Sequence, residues 1–336
     1  MKREILLHGG AIDLMKARFP DAPSPWIDLS TGINPWPYEF SVEPQETMNH
    51  LPTVAQFESC AAAMASAIGA NADSLVLAPG SELLIRLLPT VLSVQRVCVT
   101  AQSYGDHISA WRSADVAVNE VLDPLAEIDH CDAVVVCNPN NPDGRCWSAS
   151  ELNHARERLA EMGGWLIVDE AYMDLHPEQS ILTQTSTDGL IVLRSFGKFY
   201  GLAGVRLGAL FAPRRILKKM SERLGVWPVP GPTLAIGTEA YDNFDWQIET
   251  RRQLSSARAK LDEVLTRHGL EVVGGTDLFR FVSTPSAETW WNGLAEQGIY
   301  TRRFNWCSRR LRIGLPASQD ALTRLDGALE RINPLK

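Results

Sequence analysis

The sequence predicts an α/β protein, with a large domain holding a mostly parallel sheet between helices and a smaller α+β unit after it. Three observations predict it. Short apolar, β-branched runs recur at 75–78, 96–100, 116–121, 133–137, 165–168, 190–193 and 209–212. Helical spacing fills the intervals between them, as at 54–69, where Phe57, Ala61, Met64, Ala65 and Ile68 share one face. Such alternation belongs to strand–helix–strand crossovers, whose parallel strands are covered on both faces and are therefore apolar throughout. Finally, GVWPVPGP at 225–232 places three prolines and two glycines in eight residues, a natural hinge. The expected division is an arm at 1–40, a large domain at 41–230 and a small domain at 231–336.

The arm carries His8, Gly9 and Gly10, a short helix ending near Phe19, and prolines at 20, 23, 25, 35 and 37 that keep the chain extended. After the helix at 54–69 comes the strand 75–78, then Gly80, Ser81 and Glu82 and an apolar helix at 83–92. A strand, a glycine and a helix start make an anion site from backbone amides and the helix dipole. The strand 96–100 leads to Tyr104, whose ring can stack on a flat heteroaromatic ligand. The strand 133–137 is almost wholly apolar, hence central, and opens into NPNNPDG. Ser148 and Glu151 form a capping box for a helix to about residue 162. The run 165–168 ends on Asp169, Glu170, Ala171 and Tyr172; an aspartate at the tip of a buried strand is costly unless a cation or donor meets it. Past the hinge, a helix at 243–268 carries Leu254, Ala257, Leu261, Val264 and Leu265 on one stripe. Strands near 270, 279 and 300 and at 310–315 follow, with a closing helix from Ser318.

Composition excludes several classes. With 40 acidic and 32 basic residues in 336 the net charge is −8, and no basic run is present, so nucleic acid is not an expected partner. The cysteines at 60, 98, 131, 137, 146 and 307 contain no CxxC pair, which predicts reduced thiols and no metal site. No stretch of eighteen apolar residues occurs, so no membrane is expected and the chain reads as cytoplasmic.

The functional signal concentrates in SFGKFYGLAGVRLG, 195–208. Lys198 follows a buried strand to its carboxyl end, where open α/β sheets keep their ligands. Ser195 lies three residues before it, Arg206 eight after, and glycines at 197, 201, 204 and 208 let backbone approach a ligand. A hydroxyl and a guanidinium hold phosphate beside an amine able to meet a carbonyl.

This stretch resembles the lysine motif of the fold-type I pyridoxal 5'-phosphate (PLP) enzymes of the aspartate aminotransferase superfamily. The order of Asn141, Asp169, Tyr172, Ser195, Lys198 and Arg206 fits the same superfamily. The resemblance implies the type I PLP-dependent transferase fold, with a mostly parallel seven-stranded sheet in the large domain. It implies that Lys198 binds the cofactor aldehyde, Asp169 keeps the pyridine nitrogen charged, Tyr172 and Asn141 reach the ring oxygen and Tyr104 stacks on the ring. Gly80, Ser81 and Glu82, with Ser195 and Arg206, would then hold the cofactor phosphate.

Within the arm, HGGAIDL and IDLSTGINPWP resemble the L-threonine O-3-phosphate decarboxylases of cobalamin biosynthesis, relatives of histidinol-phosphate aminotransferase. That resemblance implies a phosphorylated amino acid substrate. Its phosphate would be met by His8, Thr31, Gly32 and Arg302, with Arg303 as the other candidate, and its carboxylate by Arg312 together with Asn141. A homodimer is implied as well, since the cleft of this fold is built at a subunit interface. The motifs around Lys198 suit transamination equally, and a non-catalytic PLP-binding regulator is the remaining alternative. Two departures stand out: Leu51 replaces a tyrosine that usually reaches the partner's cofactor phosphate, with His50 as a possible substitute, and Asp143 replaces the more usual threonine.

Overall fold

Seven short runs fold into one sheet, whose central strands are covered on both faces. The computed structural model describes residues 9–42, 44–183 and 188–332. Its strands are, first, β1 (Ile27–Asp28), β2 (Leu75–Ala78), β3 (Arg96–Thr100), β4 (Ala117–Val121) and β5 (Ala133–Cys137). Then come β6 (Trp165–Asp169), β7 (Leu190–Ser195), β8 (Gly208–Phe211) and β9 (Glu271–Thr276). The last are β10 (Phe279–Ser283), β11 (Ile299–Tyr300), β12 (Arg302–Phe304) and β13 (Cys307–Gly314).

The chain divides into two compact units. The larger comprises Pro37–Asn141 and Arg145–Ile248. It holds the seven-stranded sheet, in the order β2-β8-β7-β6-β5-β3-β4. β4, β3, β5, β6 and β7 pair in parallel, and β8 lies antiparallel to both β7 and β2. β8 alone therefore runs against the other six. Every residue of β5, β6 and β7 is buried, as expected for strands in the middle of a doubly covered sheet. Leu84, Ile85, Leu88, Val97, Trp111, Ile167, Leu193 and Leu210 belong to one continuous core on this sheet. The capping box at Ser148 forms as expected, with the Glu151 N–H donating to Ser148 Oγ at 3.2 Å and the Ser148 N–H to the Glu151 carboxylate at 2.8 Å.

The smaller unit gathers the described residues up to Trp36, the turn Pro142–Gly144 and the chain from Glu249 onward. Its four-stranded antiparallel sheet has the order β12-β13-β10-β9, and β1 pairs in parallel with β11. The arm is fastened here by the Trp36 indole, which donates to the Ala317 carbonyl at 2.9 Å. The turn at 142–144 is fastened by the Gly275 N–H, which donates to the Asp143 carbonyl at 2.8 Å. Side chains at Gly144 or Gly274 would overlap that crossing of backbones. Asp143, the unusual residue of its motif, therefore serves through its carbonyl.

The division departs from the expected one at 230/231. A helix, Gly231–Asp242, follows the proline-rich stretch and packs in the larger unit, and the partition falls between Ile248 and Glu249, inside the helix Phe244–Arg267. Proline needs no amide partner in a first helical turn, so prolines that look like a break here mark a helix start. Gly231 is pinned there: a Cβ would sit 2.8 Å from the Thr47 carbonyl oxygen.

Candidate active site

Strand direction decides which residues meet. β3, β5, β6 and β7 end at one edge of the sheet, β2 ends there too, and the reversed β8 begins there. That edge receives Gly80 and Ser81 after β2, Tyr104 after β3, Asn141 after β5, Asp169 and Tyr172 at the end of β6, Ser195 and Lys198 at the end of β7, and Arg206 before β8. Chain order jumps from β4 to β5 across β3, so β3 and β5 flank a switch point, the usual place for a ligand crevice in an open sheet.

The phosphate-type corner is built first from backbone. Gly80, at φ +92°, caps the helix Ser81–Val91. A Cβ at Gly80 would lie 2.5 Å from Arg206 Nη2, and one at Gly208 would lie 2.5 Å from the Ser81 nitrogen. Ser195 pairs directly with Gly208. The exposed Arg206 guanidinium, the paired backbone of Ser195 and Gly208 and a helix start are thus packed as closely as the absence of two side chains allows. The Glu82 side chain is turned to Arg86, at 3.1 Å, so only its backbone is offered to this corner.

The carboxylate corner is built from side chains. Asp169 is 5% exposed; Oδ2 lies 2.9 Å from His107 Nε2, and Oδ1 accepts from the Ala171 N–H at 3.1 Å. Burial alone would push the His107 imidazole down, but the hydrogen bond to Asp169 and the Cys137 thiol outweigh it and hold it up at about 10. His107, Cys137 and Asp169 bring ligand-type atoms within 4.8 Å of one another, all buried. Tyr104, half-buried, has its phenol pushed upward by burial and then by Asp106. The loop after β5 is braced by its neighbours: Asn138 exchanges bonds with Trp147 at 3.1 and 2.9 Å, and Ser103 Oγ donates to Asn140 Oδ1 at 2.6 Å. Both leave Asn141 as the half-buried asparagine of the three.

Lys198 sits on the short helix Phe196–Phe199, half-buried. Tyr200 ends that turn and stacks on Phe196 at 4.5 Å and on Trp246 at 5.6 Å. Beneath it Arg194 is fully buried and salt-bridged to Glu170 at 2.9 Å and to Asp174.

The expected substrate residues lie in the smaller unit. Arg302 and Arg312 face each other across β12 and β13. Arg312, 5% exposed, donates to the Ser30 carbonyl at 2.6 Å and lies over the Phe279 ring at 5.0 Å. Ser30 also receives the Gly10 N–H at 2.8 Å, and Gly314 is so close to the arm that a Cβ would lie 2.6 Å from the Thr31 carbonyl oxygen. Leu29 to Thr31 therefore run alongside the strand that carries Arg312, with Gly32 next in the chain. Arg303 projects to the other face, over Trp291 at 4.5 Å and 3.5 Å from Glu288. Tyr300 brings its hydroxyl toward the arginine pair; burial pushes it up, while Arg302 and Arg312 draw it down. His8 lies outside the described residues.

Sequence reasoning missed His107 and the Arg194 cluster. His107 stands one helical turn after Tyr104, and Glu170 and Arg194 each adjoin a strand-tip residue singled out above; those positions were the available signal.

The family model described as aminotransferase class I and II matches residues 41–332. The threonine-phosphate decarboxylase of Pseudomonas aeruginosa is 38% identical over 327 residues, covering 97% of this chain and 97% of that protein. That of a Sinorhizobium species is 37% identical, covering 97% and 98%. Among solved structures, histidinol-phosphate aminotransferase from Sinorhizobium meliloti in complex with pyridoxal-5'-phosphate superposes with a TM-score of 0.83 at 16% identity, over 95% of this chain and 93% of that one. At that identity the likeness speaks for the fold, while the family match runs through every strand tip described above: the chain belongs to the aminotransferase class I and II family.

Proposed function

We propose that this protein decarboxylates L-threonine O-3-phosphate to (R)-1-amino-2-propanol O-2-phosphate, with pyridoxal 5'-phosphate as cofactor, in cobalamin biosynthesis. The observation that carries the reading is identity of 37–38% to two threonine-phosphate decarboxylases along 97% of the chain. At that coverage most of the arm is included, where Gly10 donates to Ser30 and Ser30 in turn accepts from Arg312 of β13.

The residues fit the cofactor. Gly80 and Gly208 leave the room that an anion's approach to the Ser81 amide and Arg206 requires, since a Cβ at either would fill it. Asp169 presents a buried carboxylate whose charge is supported by His107 and the Ala171 amide, the chemistry a protonated pyridine nitrogen needs. Gly80, Ser81, Glu82, Ser195 and Arg206 would hold the phosphate, Tyr104 the ring face, Asp169 the ring nitrogen, and Tyr172 and Asn141 the ring oxygen. When bound through Lys198, the cofactor supplies an electron sink for the pair released at Cα.

The chain's own residues then decide which bond breaks. Arg312, with Asn141, orients the carboxylate by a charge-assisted fork. Arg302, Thr31, Gly32 and His8 hold the substrate phosphate, which also keeps a good leaving group from departing. As carbon dioxide leaves, Lys198 Nζ returns a proton to Cα, so one proton is consumed per turnover. We propose a homodimer as the active form, supported by the exposed apolar side chains of Met48, Leu51, Val54 and Trp227. Among the described residues no helix is long and apolar enough to cross a membrane.

The test supplies the PLP-loaded protein with L-threonine phosphate and, separately, with histidinol phosphate and 2-oxoglutarate. Carbon dioxide and aminopropanol phosphate from the first are expected; glutamate from the second, with no carbon dioxide from the first, would replace the decarboxylase by an aminotransferase.

A further inference from the structure

One guanidinium lies at the centre of the larger unit with no contact to solvent. Arg194 is the penultimate residue of β7, one before Ser195, and its side chain is 0% exposed. Nη1 donates to Glu170 Oε2 at 2.9 Å and Nη2 to Asp174 Oδ1. Glu170, also 0% exposed, further accepts from Ser180 Oγ at 2.6 Å and from the Ile181 N–H at 3.0 Å. Tyr241 packs its ring on Phe196 at 5.5 Å and on Tyr200 at 4.9 Å, the two residues that bracket Lys198.

The positions matter more than the number of bonds. Glu170 adjoins Asp169, Glu170 and Asp174 enclose Tyr172, and Arg194, four residues before Lys198, adjoins Ser195. A single cation therefore fastens the β6 tip, with its Asp169 and Tyr172, to the β7 tip that leads to Lys198. Packing alone would hold these strands together, and buried ion clusters are a poor means of adding stability, because desolvation offsets most of the attraction. What a planar fork between two carboxylates adds is angular definition, which a hydrophobic contact lacks.

We infer that Glu170, Arg194 and Asp174 form a positioning device, which sets Lys198 and Asp169 in register with each other on the two neighbouring strand tips. The inference rests on the cofactor reading above, and it concerns residues that touch neither substrate nor cofactor. Burial pushes the Glu170 carboxyl upward, and Arg194, Ser180 and the Ile181 N–H oppose that push.

Two variants test it, each reconstituted with PLP. Arg194→Lys keeps the charge and loses the fork, so it can serve only one carboxylate well. It should lower kcat for L-threonine phosphate by about tenfold or more while KM stays within about threefold, the pattern of a misplaced reacting group. Glu170→Gln keeps shape and removes one buried negative charge. It should move the pH midpoint of the visible absorbance of the lysine-bound cofactor down by about one pH unit, because the protonated form loses a favourable field. A merely structural cluster would lower the melting temperature and leave both kcat of the folded enzyme and the absorbance midpoint where they were, and that result overturns the inference. Should Arg194→Lys fail to fold, the midpoint of Glu170→Gln decides alone, shifted in support or unshifted against. A wild-type protein that stays colourless with PLP would overturn the cofactor reading and this inference together, whereas coloured variants with unmoved values overturn this inference only.

Discussion

Replacing His107 by glutamine separates the charge of the Asp169 pair from its shape. His107 Nε2 meets Asp169 Oδ2 at 2.9 Å with both side chains buried, and glutamine can still offer the carboxylate an N–H but cannot titrate. An imidazole ordinarily titrates near 6.5 and this one is held at about 10, burial being outweighed by Asp169 and Cys137. A group whose folded pKa is raised contributes stability fully present below its unfolded value and lost as pH rises through its folded value. By linkage that contribution has a ceiling of about 5 kcal/mol, and a charge-assisted bond removed from an interior costs about 1.5–3 kcal/mol. His107→Gln should therefore be less stable than wild type by about 3 kcal/mol near pH 6, with the gap closing to under about 1 kcal/mol above pH 10. The assay is urea unfolding of the cofactor-free protein, so that PLP binding does not add to the difference, at about pH 6, 8 and 10.5. A gap that stays constant with pH, or widens upward, would refute the charged pairing of His107 with Asp169.

Three further outcomes follow from the site. Lys198→Ala should lower kcat by about 10³-fold or more and abolish the visible absorbance with PLP, with the circular dichroism spectrum unchanged; residual turnover within tenfold of wild type would remove Lys198 from the chemistry. Gly208→Ala places a Cβ 2.5 Å from the Ser81 nitrogen and 3.0 Å from the Arg194 carbonyl oxygen, neither able to swing aside. It should cost about 1–3 kcal/mol in thermal unfolding and weaken PLP binding in a cofactor titration, a combination that an ordinary strand glycine would not produce. Arg312→Lys exchanges a planar fork for a point charge, so KM for L-threonine phosphate should rise about 10–100-fold, measured by steady-state carbon dioxide release.

How much of this could be read in the sequence depended on whether the determining contacts were local. The sheet was legible because β5, β6 and β7 are apolar at almost every position, a direct imprint of burial on both faces. That the candidate residues share one edge of the sheet was legible because they follow strand ends and because Ser195, Lys198 and Arg206 keep fixed offsets within one loop. Arg194 was hidden by its setting: it ends an apolar run, and its partners are 24 and 20 residues away. His107 was hidden by distance as well, being 62 residues from Asp169 in the chain and beside it in the fold. The helix Gly231–Asp242 was misjudged because proline and glycine are ambiguous between a break and a helix start, and only the close approach of Gly231 to Thr47 resolves the ambiguity.

The reversal of β8 has a mechanical meaning. Because Ser195 and Gly208 are paired, the twelve residues between them form a noose drawn tight at its neck by the β7–β8 ladder. Its conformational entropy is surrendered when the sheet forms, before any small molecule arrives. Cofactor capture is thereby relieved of that expense, and drift in the noose is curbed by hydrogen bonds that no reacting group has to share.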